Sequence, residues 1–238
     1  MNKRALLFGA ASLAIAGAVG PAAAATVVPK RRLLVAGQSL AGYWKPWRSP
    51  ATFEAFKETR RVMGDTAEWE LMVAAIGGSA ALKEHAPASA PDKWWCDIDV
   101  PMGANWHGPA LTKALGIIKD QVFTDVVWIQ GQADASRWDP AMYDAWNLEN
   151  RYSLAFRRIA GVLFPFPGKV RLNVLEYMDE APPGEAIIRE AHENLIEFGY
   201  ALQGSNPDAS LVKSDGLHPS ITAGCAQMGI STARSITP

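Results

Sequence analysis

Cysteine is almost absent from this 238-residue chain: only Cys96 and Cys225 occur, and they lie far apart in the sequence. Neither a CxxC redox pair nor a cysteine zinc knuckle can be built from them, which leaves a single disulfide or two buried free thiols. Histidine is scarce too, with four residues, so the choice of general bases is short. No set of His, Cys, Asp and Glu shows metal-ligand spacing, and Asp97 with Asp99 reads as a solvated loop pair. A G-x-x-x-x-G-K-[ST] phosphate loop is also missing, so no metal, nucleotide or other cofactor is expected. Charge of one sign is lacking as well. The chain carries 23 basic against 24 acidic residues, a net charge of −1, and no basic run, which excludes a phosphate-tracking surface and makes nucleic acid an unexpected partner.

Long apolar runs are missing beyond the N-terminus. There, Lys3 and Arg4 precede an Ala/Leu/Gly-rich stretch over residues 5–20, and small residues fill positions 22–25. That is the pattern of a secretory signal peptide. Residues 1–25 are therefore read as a cleaved leader, with no stable membrane insertion afterwards. Residues 26–238 remain as one domain, secreted or periplasmic. At 49% hydrophobic and 20% charged residues, its composition is that of a globular chain able to close one core.

What the remainder contains is an alternation of two periodicities. Apolar β-rich runs fall at about residues 31–36, 71–76, 126–129, 170–175 and 210–212, and helical patterns at about 52–63, from 109, 140–163, 183–202 and 220–233. Residues 79–106, rich in Pro, Trp and Asp without a clear period, read as a long functional loop. Strand–helix alternation of this kind calls for a mainly parallel five-stranded sheet in a three-layer α/β/α sandwich. Ligands on such sheets sit at the carboxyl ends of the strands. Ser39, Gly78 and Gln130 each follow a different expected strand, so three separate stretches of sequence deliver polar groups to one rim.

Ser39 stands after a strand and a glycine, at a position where it serves as a helix N-cap or as a nucleophile. Gly37-Gln38-Ser39-Leu40-Ala41 lacks the second glycine of the G-x-S-x-G elbow, which speaks against the α/β-hydrolase topology. Near the other end, Ser214-Asp215-Gly216-Leu217-His218-Pro219 places a carboxylate three residues before an imidazole. Such spacing suits either a constrained turn or the orienting acid and base of a catalytic triad.

Four ordered blocks resemble the SGNH hydrolases, and within them the sialate O-acetylesterase-like carbohydrate esterases. Val35-Ala36-Gly37-Gln38-Ser39 is similar to that branch's G-Q-S block, and Ile76-Gly77-Gly78-Ser79 to its G-G-T block. Trp128-Ile129-Gln130-Gly131-Gln132-Ala133-Asp134 resembles its W-x-Q-G-E-S-D block, and Asp215-Gly216-Leu217-His218-Pro219 its D-G-x-H-P block. The resemblance implies a flavodoxin-like SGNH sheet and a serine esterase that removes O-acetyl groups from a carbohydrate without a cofactor. Ser39 would be the nucleophile, His218 the general base and Asp215 its orienting acid. The oxyanion hole would comprise the N–H groups of Ser39 and of Gly77 or Gly78, with Gly78 favoured, and the Gln130 side-chain amide. The chain departs from the branch at two places: Gln132 replaces an acidic residue, and Leu40-Ala41 replaces Asn-Met.

Nine tryptophans complete the picture, with Trp44, Trp47, Trp94, Trp95 and Trp106 gathered after the first two strands. Their faces suit either sugar stacking or loop packing. Trp44 and Trp106 are the expected substrate-binding pair, and an acetylated saccharide or other short-chain ester the expected partner. Two other functions fit the same residues: a polysaccharide O-acetyltransferase using the same acyl-enzyme, and a non-catalytic glycan-binding module.

Overall fold

The computed structural model describes residues 28–164, 170–173, 181–205, 214 and 218–236. The expected leader at 1–25, the expected strand at 210–212 and Asp215 lie outside the described residues.

Strand β1 (Lys30–Gly37) runs parallel to β2 (Glu68–Ala75) on one side and to β5 (Asp125–Ile129) on the other. Beyond β5 come β6 (Val170–Leu172) and β7 (Leu202–Gln203), giving a five-stranded parallel sheet in the order β2-β1-β5-β6-β7. Helices cover both faces, as buried parallel strands demand. Leu33, Val35, Val127 and Ile129 face helix α1 (Pro50–Val62) and helix α6 (Ala223–Ser235), whose Phe56, Cys225 and Met228 join their cluster. Leu34, Ala36, Val126 and Trp128 face the opposite layer, formed by α2 (Pro109–Ile118), α4 (Ala145–Leu163) and α5 (Glu185–Glu197). This is the expected three-layer sandwich. The two faces also settle the cysteines: both are free and buried, Cys225 on the α1/α6 side and Cys96 on the other, with the sheet between them. Burial raises the Cys96 thiol to about 12, so it stays protonated.

Three departures from the expected elements have physical reasons. The stretch 79–106 is not an open loop. It holds a two-stranded parallel ribbon, β3 (Ala80–Leu82) with β4 (Trp94–Cys96), and Trp95, Cys96, Ile98 and Trp106 are core residues. Pro140 does not open a helix. It occupies the second position of a turn in which Met142 N–H donates to Asp139 O at 2.8 Å and Ala141 N–H to the Asp139 carboxylate at 2.8 Å, an arrangement that favours proline just as a helix start does. α4 starts five residues later, where Asp144 caps it by accepting from Asn147 N–H at 2.8 Å. A short α3 (Gln132–Arg137) fills part of the span before it. Finally, α5 ends at Glu197, and the fifth strand follows as β7 at residues 202–203, where helix had been expected to reach.

The sheet register positions the rim. Gly37 is paired with Ala75 of β2 and with Ile129 of β5, so the three strands end in one row. Chain direction leaves β1 towards β2 on one side and enters β5 on the other, which makes the crevice beyond this row a topological switch point. Gly37 is required there for two reasons. Its φ is +131°, and a Cβ would come 2.0 Å from the Ile129 carbonyl oxygen, the same oxygen that accepts from Gln38 N–H at 3.0 Å. Gly37→Ala is expected to cost about 3 kcal/mol or more, read as a lowered denaturation midpoint at unchanged m-value.

Candidate active site

Three stretches leave the common row. From β1 the chain passes through Gln38 to Ser39 and a 3₁₀ turn, Ala41–Trp44. From β2 it makes the turn Ile76-Gly77-Gly78-Ser79, closed by Ser79 N–H donating to Ile76 O at 3.3 Å. Gly78 has φ +71°, the left-handed value that the third position of a type II turn demands. From β5 it enters Gln130-Gly131 and α3. The N–H groups of Ser39 and Gly78 have no hydrogen-bond partner among the described residues.

His218 meets Ser39 across 179 positions of sequence, with its Nε2 3.2 Å from the serine Oγ. Both residues are half-buried at the rim. The imidazole also packs on the Tyr43 ring, centroid to centroid 5.7 Å. The segment after His218 is tethered to α1's start, because buried Ser49 Oγ donates to Ile221 O at 2.9 Å. These contacts bring together the expected nucleophile and base, and the expected acid, Asp215, falls in the undescribed stretch.

Gln130 is 1% exposed, and its Nε2 donates to the Ser79 carbonyl at 3.0 Å, which leaves one amide hydrogen uncommitted among the described residues. Its Oε1 is buried without a partner among the described residues. Ser79 is a hub: its Oγ donates to Ile76 O at 2.7 Å and accepts from Trp95 Nε1 at 2.7 Å. The Gly78 turn is thereby tied both to its own strand and to β4.

Helix α3 locks the same region from behind. Gln38 Oε1 accepts from Ala133 N–H at 3.3 Å, joining the nucleophile stretch to this helix. Fully buried Asp134 accepts from Ala81 N–H at 2.9 Å and Leu82 N–H at 3.0 Å, and its carboxylate lies 3.2 Å from His85 Nδ1. His85 Nε2 in turn is 2.7 Å from the Tyr143 hydroxyl. The Arg137 guanidinium donates to His85 O at 2.9 Å and reaches Gly78 O at 3.4 Å. His85 is therefore a structural ligand of Asp134. His107 stacks edge-on against Trp106. Neither shares a contact with Ser39, whereas His218 does.

The two expected sugar-binding tryptophans are placed otherwise. Trp44 is 0% exposed, packed against Phe56 in the α1/α6 core, and Trp106 is 3% exposed in the opposite core. Neither offers a free ring face. A tryptophan's area makes burial its default, and loop placement alone does not reveal which rings remain outside. Trp47, three residues past Trp44, is 80% exposed. The sequence reading also passed over Tyr43, Ser49 and Asp134. Of these, only Asp134 carried a signal, since it lies inside a motif block. Among the described residues no group of three or more His, Cys, Asp and Glu could hold a metal ion.

With the geometry in place, the likeness to solved structures can be weighed. A lipase/acylhydrolase from Enterococcus faecalis superposes with a TM-score of 0.55 at 15% identity, over 86% of this chain and 94% of that one. The structure named TesA does so with a TM-score of 0.50 at 12% identity, over 83% and 94%. The chain has the SGNH-hydrolase fold. No family model matches its sequence, and no curated protein does. In this SGNH fold, Ser39, the Gly78 turn and Gln130 occupy the sheet's switch-point rim.

A second buried pair supports that rim. Gly131, next to Gln130, packs over Tyr152 and His192, and the Tyr152 hydroxyl lies 2.9 Å from His192 Nε2. Burial lowers His192 from 6.5 to about 3, so it is neutral in the folded protein. An unfolded chain takes up this proton near pH 6.5, while the folded chain refuses it until about pH 3. Its contribution to stability is complete above pH 6.5 and is lost as pH falls towards 3, with a slope of about 1.4 kcal/mol per pH unit. Denaturant unfolding of wild type against His192→Gln between pH 7 and 5 is expected to show the steeper decline in wild type.

Proposed function

We propose that this protein is a serine esterase that removes O-acetyl groups from a carbohydrate, of the sialate O-acetylesterase-like type, working outside the cytoplasm after loss of residues 1–25. One observation carries the reading: the 3.2 Å contact between His218 Nε2 and Ser39 Oγ at the switch-point rim of an SGNH fold. The leader pattern supports export, and no helix among the described residues is long and apolar enough to cross a membrane.

In the proposed mechanism Ser39 Oγ attacks the acetyl carbonyl while His218 Nε2 takes the hydroxyl proton. Asp215, three residues before His218, orients the ring through Nδ1 and stabilises the imidazolium. Charge developing on the former carbonyl oxygen is met by the N–H groups of Ser39 and Gly78, which are uncommitted among the described residues, and by the Gln130 amide. Collapse breaks the ester bond, and the sugar oxygen leaves with the proton from His218. Water then attacks the acetyl-serine, giving its proton to His218, and acetate departs as Ser39 recovers the proton. Fixed donors suit this cycle because they need no reorganisation as charge appears. The Gly78 turn meets that need, being held by Ser79, Trp95 and Arg137.

The carbohydrate assignment rests on the block resemblance and on the exposed Trp47 ring in the segment that follows the nucleophile. Stacking of a sugar on that ring contributes to ground-state binding more than to the chemical step.

Hydrolysis of p-nitrophenyl acetate by the mature protein is the direct test. Ser39→Ala and His218→Ala are each expected to lower kcat at least roughly a thousandfold, and Gln130→Leu roughly a hundredfold to a thousandfold, with unchanged circular dichroism. Turnover that survives both Ser39→Ala and His218→Ala contradicts the mechanism. Trp47→Ala is expected to raise KM for an acetylated oligosaccharide more than for p-nitrophenyl acetate, read from initial rates.

A further inference from the structure

Two cations flank the Gly78 turn, and the mechanism uses the charge of neither. The first is Lys93, half-buried in the segment just before β4. Its Nζ lies 4.0 Å from where a Cβ on Gly78 would stand, so the ammonium covers the flank that a side chain would otherwise occupy. The main chain at Lys93 is fixed on both sides: its N–H donates to Ala90 O at 3.0 Å, and its carbonyl accepts from Ala80 N–H at 3.0 Å. Ala80 follows Ser79, so Lys93 is fastened to the stretch that it covers.

The second cation is Arg137. Its two terminal nitrogens straddle Gly78 O, each at 3.4 Å, and Nη1 also donates to His85 O at 2.9 Å. Elsewhere in the chain such groups are neutralised, since Lys30, Lys57 and Lys83 pair with carboxylates, as do Arg31, Arg60 and Arg151. Lys93 and Arg137 pair with no carboxylate among the described residues. Main-chain carbonyls leave the guanidinium charge in place. Asp134, three residues earlier on α3, accepts from the N–H groups of Ala81 and Leu82 and lies against His85. Two positive charges held at one turn repel each other, and negative charge appearing there relieves that cost.

We propose that Lys93 and Arg137 are positioning residues of the esterase reaction: one over the Gly78 Cα and the other on its carbonyl, they hold the Gly78 N–H in place and supply a fixed positive field to the developing oxyanion. The field acts weakly on the neutral ester and strongly on the tetrahedral intermediate, so it lowers the barrier without tightening substrate binding. This inference rests on the esterase reading and adds a source of charge to its oxyanion hole.

A probe that forms the charge without turnover separates the two. Ser39 Oγ adds to the trigonal boron of methylboronic acid while its proton passes to His218, and the adduct is a tetrahedral boronate anion in place of the intermediate. Boron NMR titration reads its affinity, and initial rates on p-nitrophenyl acetate read turnover. Lys93→Met is expected to lower kcat and to weaken boronate binding each roughly tenfold, with KM within about twofold of wild type. Lys93→Arg is expected to stay near wild type and Lys93→Glu to fall below Lys93→Met, a grading by charge that lost packing does not produce. Arg137→Met is expected to lose at least as much, with partial rescue in Arg137→Lys, and the Lys93 series decides alone if Arg137→Met does not fold. Wild-type kcat in Lys93→Met, or equal loss in Lys93→Met and Lys93→Glu, overturns the inference while wild-type hydrolysis keeps the esterase reading. Charge-graded boronate affinity without ester hydrolysis by wild type keeps the positive field and overturns the esterase reading. Absence of both adduct and hydrolysis overturns both.

Discussion

The arrangement at the rim depends on one constraint, the parallel register that ends β1, β2 and β5 in a single row. Gly37 pairs with both Ala75 and Ile129, so the residues that follow each strand start at the same height. A parallel ladder reaches this result only by close approach, and β1 achieves it by passing directly over the Ile129 carbonyl, which any side chain at position 37 would strike. Ser39, Gly78 and Gln130 inherit their proximity from that row rather than from contacts among themselves.

The imidazole arrives by a separate route. α1 and α6 share one face of the sheet, and the seam between them sets the chain that carries His218, with Ser49 Oγ holding Ile221 O and Tyr43 packing on the ring. The other side of the rim is held by buried polar groups with assigned partners: Asp134 on the β3 amides and His85, Arg137 on the carbonyls of His85 and Gly78, Tyr152 on His192. Buried polar networks of this kind cost stability where a partner is missing and fix geometry where all are present. Gln130 Oε1 is buried without a partner among the described residues, and it sits on the residue assigned to touch the reacting oxygen.

Much of this was legible in the residues because glycine and strand periodicity mark ends well. The strand-end glycines Gly37, Gly77 and Gly131 announced three rim positions, and parallel order followed from strand–helix alternation. What was not legible shares a cause: it depends on tertiary context. Pro140 suits a helix start and a turn equally, and only the Asp139 side chain decided between them. Trp44 and Trp106 carry the same rings as Trp47, yet burial separates them, and burial is a property of the packed core.

The central claim is that Ser39 is a nucleophile activated by His218. Intact-mass and peptide mapping after exposure to a fluorophosphonate tests it most directly, because the adduct reports the activated hydroxyl without assuming a substrate. The account predicts one adduct per chain on Ser39, absent or greatly slowed in His218→Ala. No adduct on the wild-type protein, or one on another residue, contradicts it.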